Sequence, residues 1–214
     1  MPTPRSGRHR RNNPSRPAVF LNLPYDRGFE SLFLAYIAGV SAFGMTPRAT
    51  LEIPGSVRRL DRIFELLSSC SYSIHDLSRV QLDRSAPATP RFNMPFELGL
   101  AVAHEKSRGN HIWFVFESMD HRIMKSLSDL NGTDPYIHNG RLDGVFAQIG
   151  NAFLRTGPQP TVPRMRTIYR GLRASVPGIL HETGSNSLFA ARAFQELSAV
   201  AVGLADEVVL ARHP

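Results

Sequence analysis

Two acids and a tyrosine stand where an α/β chain would place a ligand. The segment Tyr72-Ser-Ile-His-Asp-Leu-Ser78 reads as a strand, and Phe92-Asn-Met-Pro-Phe-Glu-Leu-Gly-Leu-Ala-Val-Ala103 as the helix that follows a polar, Arg- and Pro-containing loop. Asp76 falls at the strand's exit and Glu97 in the expected first turn of the helix. Open parallel sheets bind ligands outside the carboxyl ends of their strands, so both acids are expected over one crevice. Two carboxylates in that position suit chemistry at a glycosidic carbon, where an ionised one serves as nucleophile or as stabiliser of an oxocarbenium-like centre. A helix N-terminus favours the ionised form. Each acid also has an ordinary alternative: Glu97 as a capping residue, and Asp76 as an acceptor for loop N–H groups at a strand end.

Other polar residues border the same crevice. The first strand exits at Asn22, with Tyr25, Asp26 and Arg27 just beyond. Tyr25 could stack on a base, and Asp26 fits the cap of the first helix. Ser78 is either a turn hydroxyl or a ligand to a ribose or phosphate. Other chemistries lack their usual signatures. The eight histidines are scattered with no H-x-x-x-H or paired-cysteine spacing, so no metal site is expected. No G-x-G-x-x-G follows the first strand, no phosphate-binding G-x-x-x-x-G-K-[ST] occurs, and Ser78 lacks a nucleophile-elbow context.

The elements that must position these residues alternate regularly. Short apolar runs at 18–22, 46–53, 72–78, 111–117 and 134–138 read as strands. Helical spacing appears over 27–43, closed by Gly44. A second helix is capped by Ser56 after Pro54-Gly55, with Val57, Leu60, Phe64 and Leu67 as its apolar face. Pro95 fits the first turn of a third helix, and Gly99, Ala101 and Ala103 would let it lie close to the sheet. Further helices are expected over 121–130, stopped by Asn131-Gly132, and over 142–153. This alternation implies an α/β three-layer sandwich with a parallel sheet and right-handed crossovers, for which a flavodoxin-like, five-stranded order of 2-1-3-4-5 is the expectation chosen. Gly157-Pro-Gln-Pro160 marks a linker, followed by a C-terminal helical extension (157–214) with helices over 162–174 and 187–210. The second of these carries a long apolar stripe that suits either docking on the sheet domain or a dimer contact.

Composition narrows the class. Hydrophobic content of 42% with 20% charged residues suits a globular core within 18–156. Of the net charge of +7, a large share comes from Arg5, Arg8, Arg10, Arg11 and Arg16 in a Pro-rich stretch, 1–17, expected to be a disordered basic tail. Such a tail suits a solubilising role or contact with a protein or nucleic-acid trigger. Cys70 is the single cysteine, no apolar run is long enough to span a membrane, and no secretory pattern follows the basic start. A soluble cytoplasmic protein is the expectation.

Taken together, Phe20-Leu-Asn-Leu-Pro-Tyr-Asp26, Ile74-His-Asp-Leu-Ser78 and Phe96-Glu-Leu-Gly-Leu-Ala101 resemble the nucleoside 2-deoxyribosyltransferase-like and TIR-like superfamily over residues 18–156. The resemblance implies that Glu97 acts at the sugar's anomeric carbon and that Asp76 assists it. It places Asn22, Tyr25, Ser78, Asn93 and Phe96 around the substrate. It also implies N-glycosidic-bond cleavage on NAD or a nucleoside, with those molecules as substrates and no cofactor, in a homo-oligomer that could serve antiviral defence. Two other classes fit the same residues: a nucleotide-sensing module that signals through assembly, and a nucleic-acid-associated protein working through the Arg-rich tail.

Overall fold

A computed structural model describes residues 16–53, 58–80, 82–83, 89–130 and 132–210. The Arg-rich tail up to residue 15, Pro54-Gly55, the Ser56 cap, Val57, Asn131 and much of the 83–93 loop lie outside the described residues. The strands are β1 (Ala18–Asn22), β2 (Thr46–Arg48), β3 (Tyr72–Asp76), β4 (Leu82–Asp83), β5 (Thr89–Pro90), β6 (Ile112–Glu117) and β7 (Tyr136–Ile137). Five of them form one sheet in the order β2-β1-β3-β6-β7, every pair parallel, and β4 and β5 form a small antiparallel ribbon. This is the 2-1-3-4-5 order read from the sequence.

The helices are α1 (Glu30–Ala42), α2 (Arg59–Ser68), α3 (Asn93–Arg108), α4 (Arg122–Ser126), α5 (Leu142–Ala152), α6 (Val162–Thr183) and α7 (Ala191–Leu210). Strand side chains alternate between the two faces, as the period of two requires. Val19, Leu21, Ile74 and Phe116 meet α1 and α5, whereas Phe20 and Val115 meet α2, α3 and α4. On the first face α6 and α7 add a further layer. Phe33, Tyr36, Ile37, Val40 and their neighbours in α1 are buried all round, because sheet, α5, α6 and α7 enclose them. A helix that is apolar on every side belongs in a core, and the extension after residue 157 supplies the missing cover. No described helix is long and apolar enough to cross a membrane.

Several boundaries differ from the sequence reading for identifiable reasons. The second strand stops at Arg48, and Thr50–Glu52 form a 3-10 turn. Pro47 has no N–H to offer a further neighbour, so it suits an edge strand. The Glu52 carboxylate folds back onto the Ala49 N–H (2.9 Å) and the Arg48 guanidinium (2.8 Å). The first helix opens with a 3-10 turn, Arg27–Phe29. The fourth is broken into α4 and a 3-10 turn, Ser128–Leu130. α2 buries Leu67 of the expected face but turns Leu60 and Phe64 to solvent, with Ile63 and Leu66 buried in their place. Its start is Arg58 at a φ of +69°. α6 runs nine residues past the expected stop at 174, carrying Pro177 internally, because Ile179 is buried against the core beyond that breaker. α7 begins at Ala191, after Ser187 Oγ has accepted the Phe189 N–H (3.2 Å) in a turn.

Candidate active site

Glu97 is held by α3, and α3 is tied to the sheet at its first turn. Asn22, at the exit of β1, donates from Nδ2 to the Met94 carbonyl at 2.8 Å. Beneath that bond Met94 and Leu98 pack on Leu77 and Val115, and Ala101 on Phe20, Leu67 and Cys70. Of the three small residues expected to bring the helix close, only Ala101 does so: Gly99 faces open space and Ala103 is exposed.

The helix begins at Asn93, which places Glu97 in the second turn and leaves no acid in the first. The expected source of its ionisation, the helix terminus, therefore falls away, since that field fades within the first turn. Burial acts in the opposite direction. Glu97 is 7% exposed. Loss of hydration disfavours its charged form and pushes its pKa up to about 7, while the nearby Arg59 guanidinium pulls it down. Among the described residues none hydrogen-bonds or ion-pairs with its carboxyl.

Tyr25 is the aromatic neighbour. Its ring packs between Phe33 of α1 and Phe189, which precedes α7, with centroids 6.2 and 5.7 Å away. Its hydroxyl meets Thr50 Oγ1 at 3.2 Å. Burial raises the phenol's pKa well above its usual value, and the charge of Glu97 raises it further. The charges of Glu97 and Arg59 both reach the phenol, which brings the three side chains into one neighbourhood at the β1 exit.

Asp76 belongs to a second cluster. It is completely buried, and both carboxylate oxygens are engaged. Oδ1 accepts the Ser78 N–H at 2.8 Å, the strand-end turn that stops β3 at Asp76. Oδ2 accepts the Tyr36 hydroxyl at 2.7 Å and lies 3.1 Å from His138 Nε2. The Gly140 N–H donates to His138 Nδ1 at 3.1 Å, so the hydrogen-bond pattern assigns the proton to Nε2, facing Asp76 and Ser78 Oγ. Serine and aspartate both meet the same ring nitrogen, which is not the relay geometry of a hydrolytic triad. Ser78 is held from its other side as well, its carbonyl accepting Arg122 Nη2 at 2.8 Å while that guanidinium pairs with buried Glu117.

Asn22 leads into a third cluster. Its Nδ2 also donates to His75 Nδ1 (3.0 Å). His75 Nε2 then meets Ser73 Oγ (2.8 Å), Ser73 Oγ meets His111 Nε2 (2.9 Å), and His111 Nδ1 meets the Cys70 carbonyl (2.9 Å). Burial drives the His75 pKa down to about 3, so this ring is neutral. The chain runs beneath α3 and fixes the strand from which that helix is suspended.

The seven residues singled out in the sequence therefore divide. Glu97 and Tyr25 come together. Asp76 and Ser78 form a separate buried network, and Asn22 anchors α3. Asn93 and Phe96 sit exposed at the start of α3, Phe96 at 53%. His138, Tyr36 and His75 were not singled out, although each bonds one of these residues; the signal for His138 was its place at the exit of a strand two positions from β3. Among the described residues no cluster of three or more His, Cys, Asp or Glu could hold a metal ion. No protein-family model matches the chain, and no curated protein matches it by sequence.

Proposed function

We propose that the protein cleaves an N-glycosidic bond in NAD or a related nucleoside or nucleotide. The observation that carries this reading is Glu97: a buried carboxyl with no partner among the described residues, beside Tyr25 and Arg59 at the carboxyl end of a parallel sheet. A carboxyl that no described side chain bonds, at a ligand-binding edge, suggests that the ligand completes it. In its ionised form the carboxylate meets the positive charge that develops at C1′ as the C1′–N bond breaks and the base leaves with the bonding electrons. Water then bonds to C1′ and releases a proton. A base that leaves from a cationic nitrogen, as in NAD, needs no general acid, which suits a site with few other titratable groups. Tyr25 forms the wall on which the leaving base packs.

Asp76 enters this reading as a positioning residue. Its carboxylate orders Ser78 and the loop that leads towards α3, and it acts through them rather than on the sugar. The protein is proposed to work in the cytoplasm as a homo-oligomer, with the Arg-rich tail available to an activating partner. The reading is tested by incubating the pure protein with NAD and with a panel of nucleosides and separating free base by chromatography. The wild type releases base, and Glu97→Gln reduces that rate at least ~1,000-fold, as expected for loss of a group that stabilises the transition state. Base release that survives the substitution contradicts the proposal.

A further inference from the structure

The net positive charge of the chain is concentrated in two stretches. Residues 1–17 hold five arginines and no acid, residues 141–183 hold six arginines and two acids, and the rest holds 14 basic against 16 acidic residues. The second stretch is α5, α6 and their connection. Within α6 no acid occurs before Glu182, while Arg166, Arg170 and Arg173 recur about one turn apart and so share a face. They line one open hollow with Leu142 and Tyr169. Asp143, at the start of α5, engages Arg166 at 2.6 Å. The side chains of Arg141, Arg155, Arg164 and Arg170 have no hydrogen bond or ion pair among the described residues. Arg173 has only a 3.4 Å contact with the Tyr169 hydroxyl. Across this stretch a single guanidinium is neutralised.

We infer that this face of α6 is an interaction surface for the phosphate backbone of duplex nucleic acid, bound without regard to sequence. Arg166 to Arg173 spans roughly 10 Å of helix, so the face can follow a run of phosphates rather than one anion. Guanidiniums match phosphate oxygens in pairs, and counterions released from the backbone supply the affinity. Like charges one turn apart disfavour a helix, and a bound polyanion removes that repulsion. Two observations set a duplex apart from other polyanions. Met165, Ile168 and Leu172, the apolar side of α6, are buried in the core, so nothing is left to insert into a lipid interface. Tyr169, the ring beside the arginines, is buried as well, which leaves no platform for unpaired bases. The other basic stretch ends on the same helical pair. Arg16 bonds both carboxylate oxygens of Asp206 (2.7 and 2.6 Å), and Asp206 belongs to α7, which packs along α6.

Fluorescence anisotropy of the full chain with labelled DNA and RNA duplexes of about 24 base pairs, over a range of salt concentrations, tests this. At least one duplex binds whatever its sequence, and log affinity falls against log salt with a slope of about −3 or steeper, as three phosphate contacts require. Arg170→Ala combined with Arg173→Ala weakens binding at least tenfold and reduces the slope by about 2. Arg170→Lys combined with Arg173→Lys keeps the charge and stays within about threefold of wild type, again as backbone contacts require. Both positions are exposed, and an unchanged melt by circular dichroism shows that the alanine variant is folded. The duplex bound more tightly identifies DNA or RNA as the partner. The proposal is overturned if neither duplex binds at low salt, or if the alanine variant keeps the wild-type affinity and slope. It is equally overturned if single strands, poly-glutamate or phosphatidylserine vesicles bind as tightly as the duplex. No small substrate enters the measurement, so its outcome is separate from that of the base-release assay.

Discussion

Glu97 is the residue at which sequence and structure pull in different directions. Read as a first-turn acid it should be ionised by the helix terminus; placed in the second turn and buried, it is held close to half-protonated at neutral pH. The difference has a thermodynamic signature. A carboxyl whose pKa rises from about 4.5 unfolded to about 7 folded favours the native state fully below pH 4.5, and that contribution is lost as pH rises through 7. Glu97→Gln removes the titration. The variant is expected to match the wild type near pH 4 and to exceed it by about 3 kcal/mol above pH 8, an order-of-magnitude figure from the shift. Urea unfolding of both proteins at the two pH values measures this, and a variant that is less stable at pH 8 would show that Glu97 is a structural ion-pair partner instead.

The positions of the elements were legible because their signals are periodic. Alternation in β1 and β6 and the apolar spacing of α5 specify which sides meet the core, and right-handed crossovers set the face that each connecting helix takes. What escaped depends on contacts between segments far apart in sequence. The face of α2 was misjudged because Leu60 and Phe64 satisfy a helical stripe as well as Ile63 and Leu66 do; only the docking of α3 separates them. The Asp76–His138 contact joins residues sixty-two apart, so no local pattern announces it. One element makes that contact sensitive to a single methyl. A Cβ at Gly144, in the first turn of α5, would fall 2.1 Å from the His138 carbonyl oxygen, and backbone cannot swing aside as a side chain can. Gly144→Ala should therefore cost roughly 3 kcal/mol, the upper range for overpacking. Chemical denaturation checks the loss, and a variant within 0.5 kcal/mol of wild type would mean that α5 can shift freely.

At the scale of the molecule, the chain after the Gly157-Pro-Gln-Pro160 linker is part of the core. Phe194 packs on Phe33 with centroids 6.0 Å apart, and Phe189 closes over Tyr25. The apolar stripe of α7 was visible in the sequence, but its partner was not, because α1 reads as an ordinary covered helix until its fully buried circumference is seen. Phe194→Ala should destabilise the whole protein by about 4 kcal/mol, in the range for a large buried aromatic. Tryptophan fluorescence at Trp113 in the sheet and circular dichroism should still report one coincident transition. Separate melting of the helical signal ahead of the sheet would show that α6 and α7 are only docked.

The central claim, that the Glu97 carboxylate acts in its ionised form on a glycosidic carbon, is tested most directly by the pH profile of base release. Wild type and Glu97→Gln are run side by side from pH 5 to 9. Because the working form is the carboxylate, kcat/KM of the wild type is expected to rise about tenfold per pH unit at the acid end, pass half its maximum near pH 7 and level off above. The glutamine variant should stay flat and at least ~1,000-fold below that plateau. A wild-type profile that is level across pH 7, or a Glu97→Gln protein that follows the same rising curve, would contradict the account.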